Sequence, residues 1–270
     1  MKTLGIIAGN GRFPILAAQQ AREQGFRVVL CAVEKEADPV LEEMVDCCQW
    51  VKVGALKKLT DFFSKEGVEE AIMAGKIEKV RLFQGNVQPD LEMVKVLMKT
   101  RDFKDDSLLS GIADYLEGRG IRLLDSTTFL KGALPGPGVL GKKKPSKEIM
   151  EDMAFGFHMA KSVSGLDIGQ TVVVKKKAIL AVEAIEGTDQ AIRRGGILGG
   201  DNIVVVKVAK PNQDMRFDVP AVGLQTMEAL VECRASAFAF EASKTLFLDQ
   251  TEFLRMADAH KIAIVGWQEA

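Results

Sequence analysis

Two acid-rich segments in the second half of the chain carry residue types and spacings suited to phosphate chemistry. Ala181-Val-Glu-Ala-Ile-Glu-Gly-Thr-Asp-Gln190 and Lys210-Pro-Asn-Gln-Asp-Met-Arg-Phe-Asp-Val-Pro220 each follow a short apolar, strand-like run. They gather Glu183, Glu186, Asp189, Asp214 and Asp218, with Lys207, Lys210 and Arg216 close by in sequence. Carboxylates are hard oxygen ligands for a divalent cation such as magnesium, and basic side chains suit phosphate oxygens. Together they point to metal-assisted chemistry on a phosphate ester or anhydride. Asp214, Arg216 and Asp218 alternate, so an extended backbone would place all three on one face, with Met215 and Phe217 opposite. Such a ladder also reads as a surface ion-pair row of little energetic worth. Lys207 and Lys210 just upstream favour the metal and phosphate site.

Other candidates carry competing readings. Thr188 could start a helix running through Arg194, with Asp189 in its first turn; a cap and a ligand site are compatible, because a helix N-terminus attracts anions. Gly9-Asn-Gly-Arg-Phe-Pro14 lies between a first strand and a first helix, where backbone N–H groups commonly receive phosphate. It is not the dinucleotide fingerprint, because Pro14 takes the place of the last glycine. No acid closes a clean second strand either, since Glu34 follows Ala32-Val33. An anion- or nucleotide-binding turn is favoured over nicotinamide binding, with a plain tight turn left open. Lys76, after a strand, meets either phosphate or solvent. Asp105 and Asp106 sit at a helix entrance, where an N-cap role is the stronger reading. His158 and His260 are far apart and no nucleophile elbow occurs, so a cation here would be held by oxygen.

These residues require an α/β scaffold. Leu4–Ala8, Arg27–Val33, Trp50–Val53, Glu70–Ala74 and Ile121–Asp125 read as strands, alternating with helical stretches over 14–24, 55–65 and 107–117. That rhythm predicts a Rossmann-like parallel sheet over residues 1–130. Residues 131–147, rich in Pro, Gly and Lys, read as an exposed linker. Residues 148–270 read as a mixed α/β domain carrying the acidic motifs: a helix from Ser146, a hairpin over Gln170–Val182, and strands at 203–209, 237–240, 245–248 and 262–265.

With 270 residues, 47% hydrophobic and a net charge of -1, the chain can bury two cores and lacks the basic excess of a nucleic-acid binder. No segment approaches the apolar length of a membrane helix, and Gly9–Arg12 breaks the N-terminal apolar run too early for a signal peptide. Cys31, Cys47, Cys48 and Cys233 lack zinc-site spacing and read as buried, reduced thiols of a cytoplasmic protein.

Leu166–Val174, Leu180–Asp189 and Val206–Gly223, with Gly5–Pro14 and Asp105–Leu109, closely resemble the UDP-2,3-diacylglucosamine pyrophosphatases of the LpxI type. The resemblance runs nearly end to end. It implies a two-domain cytoplasmic enzyme of lipid A biosynthesis that hydrolyses UDP-2,3-diacylglucosamine to UMP and 2,3-diacylglucosamine 1-phosphate (lipid X). It also implies Mg2+ or Mn2+ as cofactor and a ligand lying between the domains. Asp218 matches the acid most closely tied to catalysis in the family's Arg-x-Asp-Leu-Pro motif. Glu186, Thr188, Asp189, Gln213 and Asp214 match other polar positions.

The assignment therefore takes Asp218, Asp214, Arg216, Lys207 and Lys210 as catalytic, and Asp218, Asp214 and Glu186 as metal ligands. Gly9, Asn10, Gly11, Arg12, Lys76, Asp105, Asp106, Thr188, Asp189 and Gln213 are taken as substrate-binding. Asn10 stands where a glycine is expected, though asparagine tolerates positive φ. Cys233-Arg-Ala-Ser236 replaces a more glycine-rich stretch. Peripheral membrane contact and a homodimer are left open; the rival from another class is a non-catalytic sugar-nucleotide or lipid-binding regulator.

Overall fold

The computed structural model describes residues 1–77, 89–100 and 105–268, with only the backbone of Asp105 and Asp106. The chain divides into two compact units: Met1–Lys131 together with Asp214–Asp218, and Gly132–Gln213 together with Val219–Ala270.

The first unit is built on near-continuous apolar runs, the pattern of strands buried on both faces. β1 (Thr3–Ala8), β2 (Arg27–Val33), β3 (Cys47–Val51), β4 (Glu70–Ala74) and β5 (Arg122–Leu123) form one parallel sheet in the order β3-β2-β1-β4-β5. The third strand starts earlier than the expected Trp50–Val53. Helices Phe13–Glu23, Leu56–Lys65 and Asp105–Glu117 appear where the apolar spacing predicts them. Leu91–Lys99 adds a helix that periodicity did not single out. Its start is set by Asp90, which accepts hydrogen bonds from Met93 N at 2.9 Å and Lys57 N at 2.7 Å. The strand order reverses between β1 and β4, and the carboxyl ends of strands at such a point are where open α/β sheets receive ligands.

The second unit starts inside the expected linker. β6 (Gly138–Val139) pairs antiparallel with Val265 and Gly266, so this stretch is tied down as a sheet edge. The neighbouring chain comes so close that a Cβ on Gly266 would stand 2.3 Å from the Gly136 carbonyl oxygen. That approach depends on glycine. β7 (Thr171–Lys175), β8 (Ala178–Val182), β9 (Val204–Lys207), β11 (Ala237–Glu241) and β13 (Ala263–Trp267) complete a mixed sheet, ordered β6-β13-β11-β9-β7-β8. β10 (Ala221–Val222) and β12 (Leu246–Phe247) make a separate parallel pair. The β7–β8 turn puts Lys176 and Lys177 at φ 51° and 59°. Their N–H groups both donate to the buried Asp152 carboxylate, at 2.8 and 2.7 Å. The helix Lys147–Gly165 is capped by Ser146, which accepts from Ile149 N at 3.4 Å. Gly156 lets it lie close on the sheet, since a Cβ there would meet Val206 at 2.6 Å.

Candidate functional site

Asp214–Asp218 is turned, not extended. Arg216 N donates to Asp214 Oδ1 at 3.0 Å, and Phe217 N donates to the Asp214 carbonyl at 3.3 Å. An aspartate that binds the backbone two residues ahead folds the chain back, which is why the expected three-residue ladder does not form. Arg216 still faces Asp214, with Nη2 2.8 Å from Oδ2, and reaches Glu117 at 3.4 Å. The guanidinium holds the Asp214 carboxyl below the usual aspartate range, against the opposing effect of partial burial.

The segment is further fastened to the first unit through Ser126 and Phe217. Ser126 N donates to the Met215 carbonyl at 2.8 Å, and Ser126 Oγ donates to the Arg216 carbonyl at 2.6 Å. Phe217 is 2% exposed, in a core with Ala113, Leu116 and Leu123. Asp218 follows immediately, exposed, at φ +54°. Left-handed backbone in a non-glycine residue is uncommon and concentrates at functional sites. Aspartate is one of the few side chains that visits it readily.

At the β1–β4 switch point the structure brings two sequence candidates together. Asn10 and Lys76 form an antiparallel bridge, with Asn10 N to Lys76 O at 2.7 Å and Lys76 N to Asn10 O at 3.1 Å. Gly9 N donates to Ala74 O at 2.9 Å. The first two N–H groups of the turn are thus spent within the fold and are not offered to an anion. Pro14, early in the helix, has no N–H to add. Gly11, not Asn10, takes the positive φ, at 101°, with open space where a Cβ would be. Lys76 and Arg12 are exposed beside it. Asp105 and Asp106 begin the helix Asp105–Glu117, but their side chains lie outside the described residues.

The second unit buries its basic candidates at the carboxyl end of β9. Lys207 is 5% exposed and Lys210 8%. Lys207 Nζ donates to Thr188 Oγ1 at 2.7 Å, and Thr188 Oγ1 donates to Glu183 Oε1 at 2.8 Å. Burial would push the Glu183 carboxyl up, but the Lys207 charge and bonds from Thr188 and Gln170 N outweigh it and hold it low. The helix Thr188–Gly199 does start at Thr188 with Asp189 in its first turn, but Gly187, at φ 82°, occupies the cap position. Lys210 pairs with Asp167 at 2.7 Å. Gln213 Oε1 accepts from Gln170 Nε2 at 3.1 Å and from Lys210 N at 3.3 Å. Asp189 accepts from Thr226 Oγ1 at 2.8 Å. Glu186 accepts from Arg194 at 2.6 Å and from Ala184 N at 3.1 Å, so it already closes its own loop. Glu183, absent from the sequence-level assignment, is half-buried and is the acid joined to Lys207 through the Thr188 hydroxyl. Its signal was position: it directly follows the strand Ala178–Val182, while Glu186 lies further along the loop.

The histidines and cysteines take no part in these clusters. His158 and His260 are exposed. All four cysteines are free, and only Cys31 is buried; the other three are half-buried. Burial pushes the Cys31 thiol up to about 12 and the Cys48 thiol up to about 11, which leaves both protonated and poor nucleophiles.

Residues 3–133 match the LpxI N-terminal domain and residues 136–265 the LpxI C-terminal domain. The chain belongs to the LpxI family. UDP-2,3-diacylglucosamine pyrophosphatase LpxI of Caulobacter vibrioides is 29% identical over 278 aligned positions, covering 98% of each chain. Two of the solved structures that match are more distant from this LpxI chain. The biotin carboxylase domain of a thermophilic 2-oxoglutarate carboxylase is 13% identical with a TM-score of 0.29; the match covers 64% of this chain and 35% of that one. N5-carboxyaminoimidazole ribonucleotide synthetase from Thermotoga maritima is 15% identical with a TM-score of 0.25, covering 68% of this chain and 41% of its own. The chain spans well under half the length of these two, and likenesses this weak carry no functional argument. No helix among the described residues is long and apolar enough to cross a membrane.

Proposed function

We propose that this LpxI chain hydrolyses the pyrophosphate bond of UDP-2,3-diacylglucosamine, giving 2,3-diacylglucosamine 1-phosphate and UMP for lipid A synthesis on the cytoplasmic side. The observation that carries the reading is Asp218: an exposed aspartate in left-handed backbone at the end of a segment anchored by Ser126 and Phe217. It stands where the family resemblance places its most critical acid. The Caulobacter vibrioides relative supplies the substrate class.

Magnesium or manganese is part of this reading. Among the described residues no three His, Cys, Asp or Glu side chains gather into a metal-holding group. Magnesium on a nucleotide does not need such a cage; it usually takes one or two carboxylates, with phosphate oxygens and water completing the shell. Asp218 fits that role, with Asp214 or Glu186 as second ligand. Asp218 is taken as the principal ligand because the family resemblance places its most critical acid there. When bound, the cation neutralises pyrophosphate charge and acts as a Lewis acid.

The chain's own residues do the rest. Lys207, Lys210 and Arg216 stabilise charge on the transferred phosphoryl group. Gly9–Arg12 and Lys76 hold part of the nucleotide, with Asp105, Asp106, Thr188, Asp189 and Gln213 as further polar contacts. Because the substrate carries two acyl chains, the reading includes peripheral contact with the inner membrane.

The test is UMP release from UDP-2,3-diacylglucosamine with magnesium present, then with chelator, for the wild type and Asp218→Ala. Chelator-sensitive release that is abolished in the variant is the expected result. Full release by Asp218→Ala would sink the assignment, and tight binding without turnover would mark a non-catalytic binder.

A further inference from the structure

We propose that Glu183 and Thr188 are positioning residues that aim the buried ammonium of Lys207 at a phosphate oxygen. The inference rests on the pyrophosphatase reading and extends it to Glu183, which that reading leaves out, acting through the Thr188 hydroxyl.

An ammonium has three donors and no acceptor. Among the described residues Lys207 Nζ makes one hydrogen bond, to Thr188 Oγ1 at 2.7 Å, although the side chain is 5% exposed. Two donors are left over on a desolvated cation, a costly arrangement unless an anion answers it. Lys207 also closes β9, an inner strand paired parallel with β11 and antiparallel with β7. The carboxyl end of such a strand is where α/β sheets present groups to ligands.

The polarity of the relay is set by its far end. Thr188 has one hydroxyl proton, and it is given to Glu183 Oε1 at 2.8 Å, so an oxygen lone pair faces Lys207. Glu183 Oε2 accepts from Gln170 N at 3.3 Å. The Glu183 backbone is equally fixed: its N–H donates to Thr171 O at 2.8 Å, and Gly169 runs so close that a Cβ there would lie 2.1 Å from the Glu183 carbonyl oxygen.

The interposed hydroxyl has a chemical consequence. A carboxylate in direct contact would neutralise Lys207 and compete with phosphate. One hydroxyl away, Glu183 holds the cation's position electrostatically and leaves the remaining donors open to an oxyanion.

The experiment compares Glu183→Gln, Thr188→Val and Thr188→Ser, alone and with Lys207→Met, by kcat and KM for UMP release and by calorimetric binding of inorganic pyrophosphate. Glu183→Gln and Thr188→Val should lower kcat about 10- to 100-fold with KM little changed, the size of one hydrogen bond to a charged group. Thr188→Ser, which keeps the hydroxyl, should stay near wild type. In the Lys207→Met background Glu183→Gln should cost nothing further. Wild-type kcat in Glu183→Gln and Thr188→Val, or losses that add fully to that of Lys207→Met, would overturn the inference. Should one variant fail to fold in a melting check, the Thr188 pair and the Glu183–Lys207 cycle each decide alone. If the wild type releases no UMP, the pyrophosphatase reading falls. The calorimetric arm then judges the relay by itself, with weaker pyrophosphate binding in Lys207→Met and Glu183→Gln supporting it and unchanged binding refuting it.

Discussion

Ser126 and Arg216 lie 90 positions apart in the chain, yet the Ser126 hydroxyl donates to the Arg216 carbonyl oxygen at 2.6 Å. Ser126 is fully buried and its own N–H holds the Met215 carbonyl. One side chain from the first sheet's domain therefore sets the path of the segment that ends in Asp218. Ser126→Ala leaves the Arg216 carbonyl without its hydroxyl donor and should cost about 1–3 kcal/mol of stability. UMP release should fall together with the melting temperature; a variant that melts lower but turns over normally would show that the fastening is not used by the site.

Phe217 is the hydrophobic counterpart of that fastening. Phe217→Ala removes a ring that is 2% exposed and should destabilise by about 3–5 kcal/mol if the segment stays in place. A segment that lets go instead shows a smaller loss by denaturant unfolding and protease sensitivity around residue 218. Phe217→Leu should keep most of the activity.

At Asp218 charge and backbone can be separated. Asn tolerates φ near +54° as Asp does, so Asp218→Asn should keep the wild-type melting temperature while abolishing magnesium-dependent UMP release. Asp218→Val adds a β-branched side chain to left-handed backbone and should also lose about 1–2 kcal/mol of stability. Equal melting temperatures for the two variants would contradict the strain argument.

Gly9→Ala tests the switch point. An added Cβ would stand 2.6 Å from the Lys76 carbonyl oxygen, a backbone atom that cannot swing aside. The Asn10–Lys76 bridge should open, raising KM for the nucleotide substrate more than it lowers kcat. An unchanged KM would remove this turn from the site.

The Asp214–Arg216 pair predicts a defined pH dependence. The folded Asp214 carboxyl is held low, chiefly by hydrogen bonds from Arg216. Its contribution is therefore complete above the ordinary aspartate value of about 3.9 and is lost as pH falls through the lower folded value. The melting difference between wild type and Asp214→Asn should be constant near neutrality and shrink only in strong acid. With the Asp214 side chain 35% exposed, that difference should be small.

Much of the scaffold was legible without coordinates. Arg27–Val33 and Glu70–Ala74 are strands over the residues their apolar runs suggest, because a strand buried on both faces needs an unbroken apolar sequence. The helix Leu91–Lys99 was harder to read: it is short, and the apolar Leu91 and Met98 stand exposed outside the face that Val96 buries, which blurs its periodicity. The Gly138–Val139 strand was hidden by a Pro- and Gly-rich composition that suits an edge as well as a linker.

The chemistry divides in the same way. Residue type and order grouped the acids with lysines, because carboxylate and ammonium chemistry is local to the side chain, and the resemblance to the LpxI family made Asp218 the leading acid among them. Tertiary structure decided how those groups are held. It folded Asp214 onto Arg216, fastened the segment through Ser126 and Phe217, and buried Lys207 behind a hydroxyl shared with Glu183. Each of these depends on partners distant in the chain or on burial, and neither distance nor burial is a property of residue spacing.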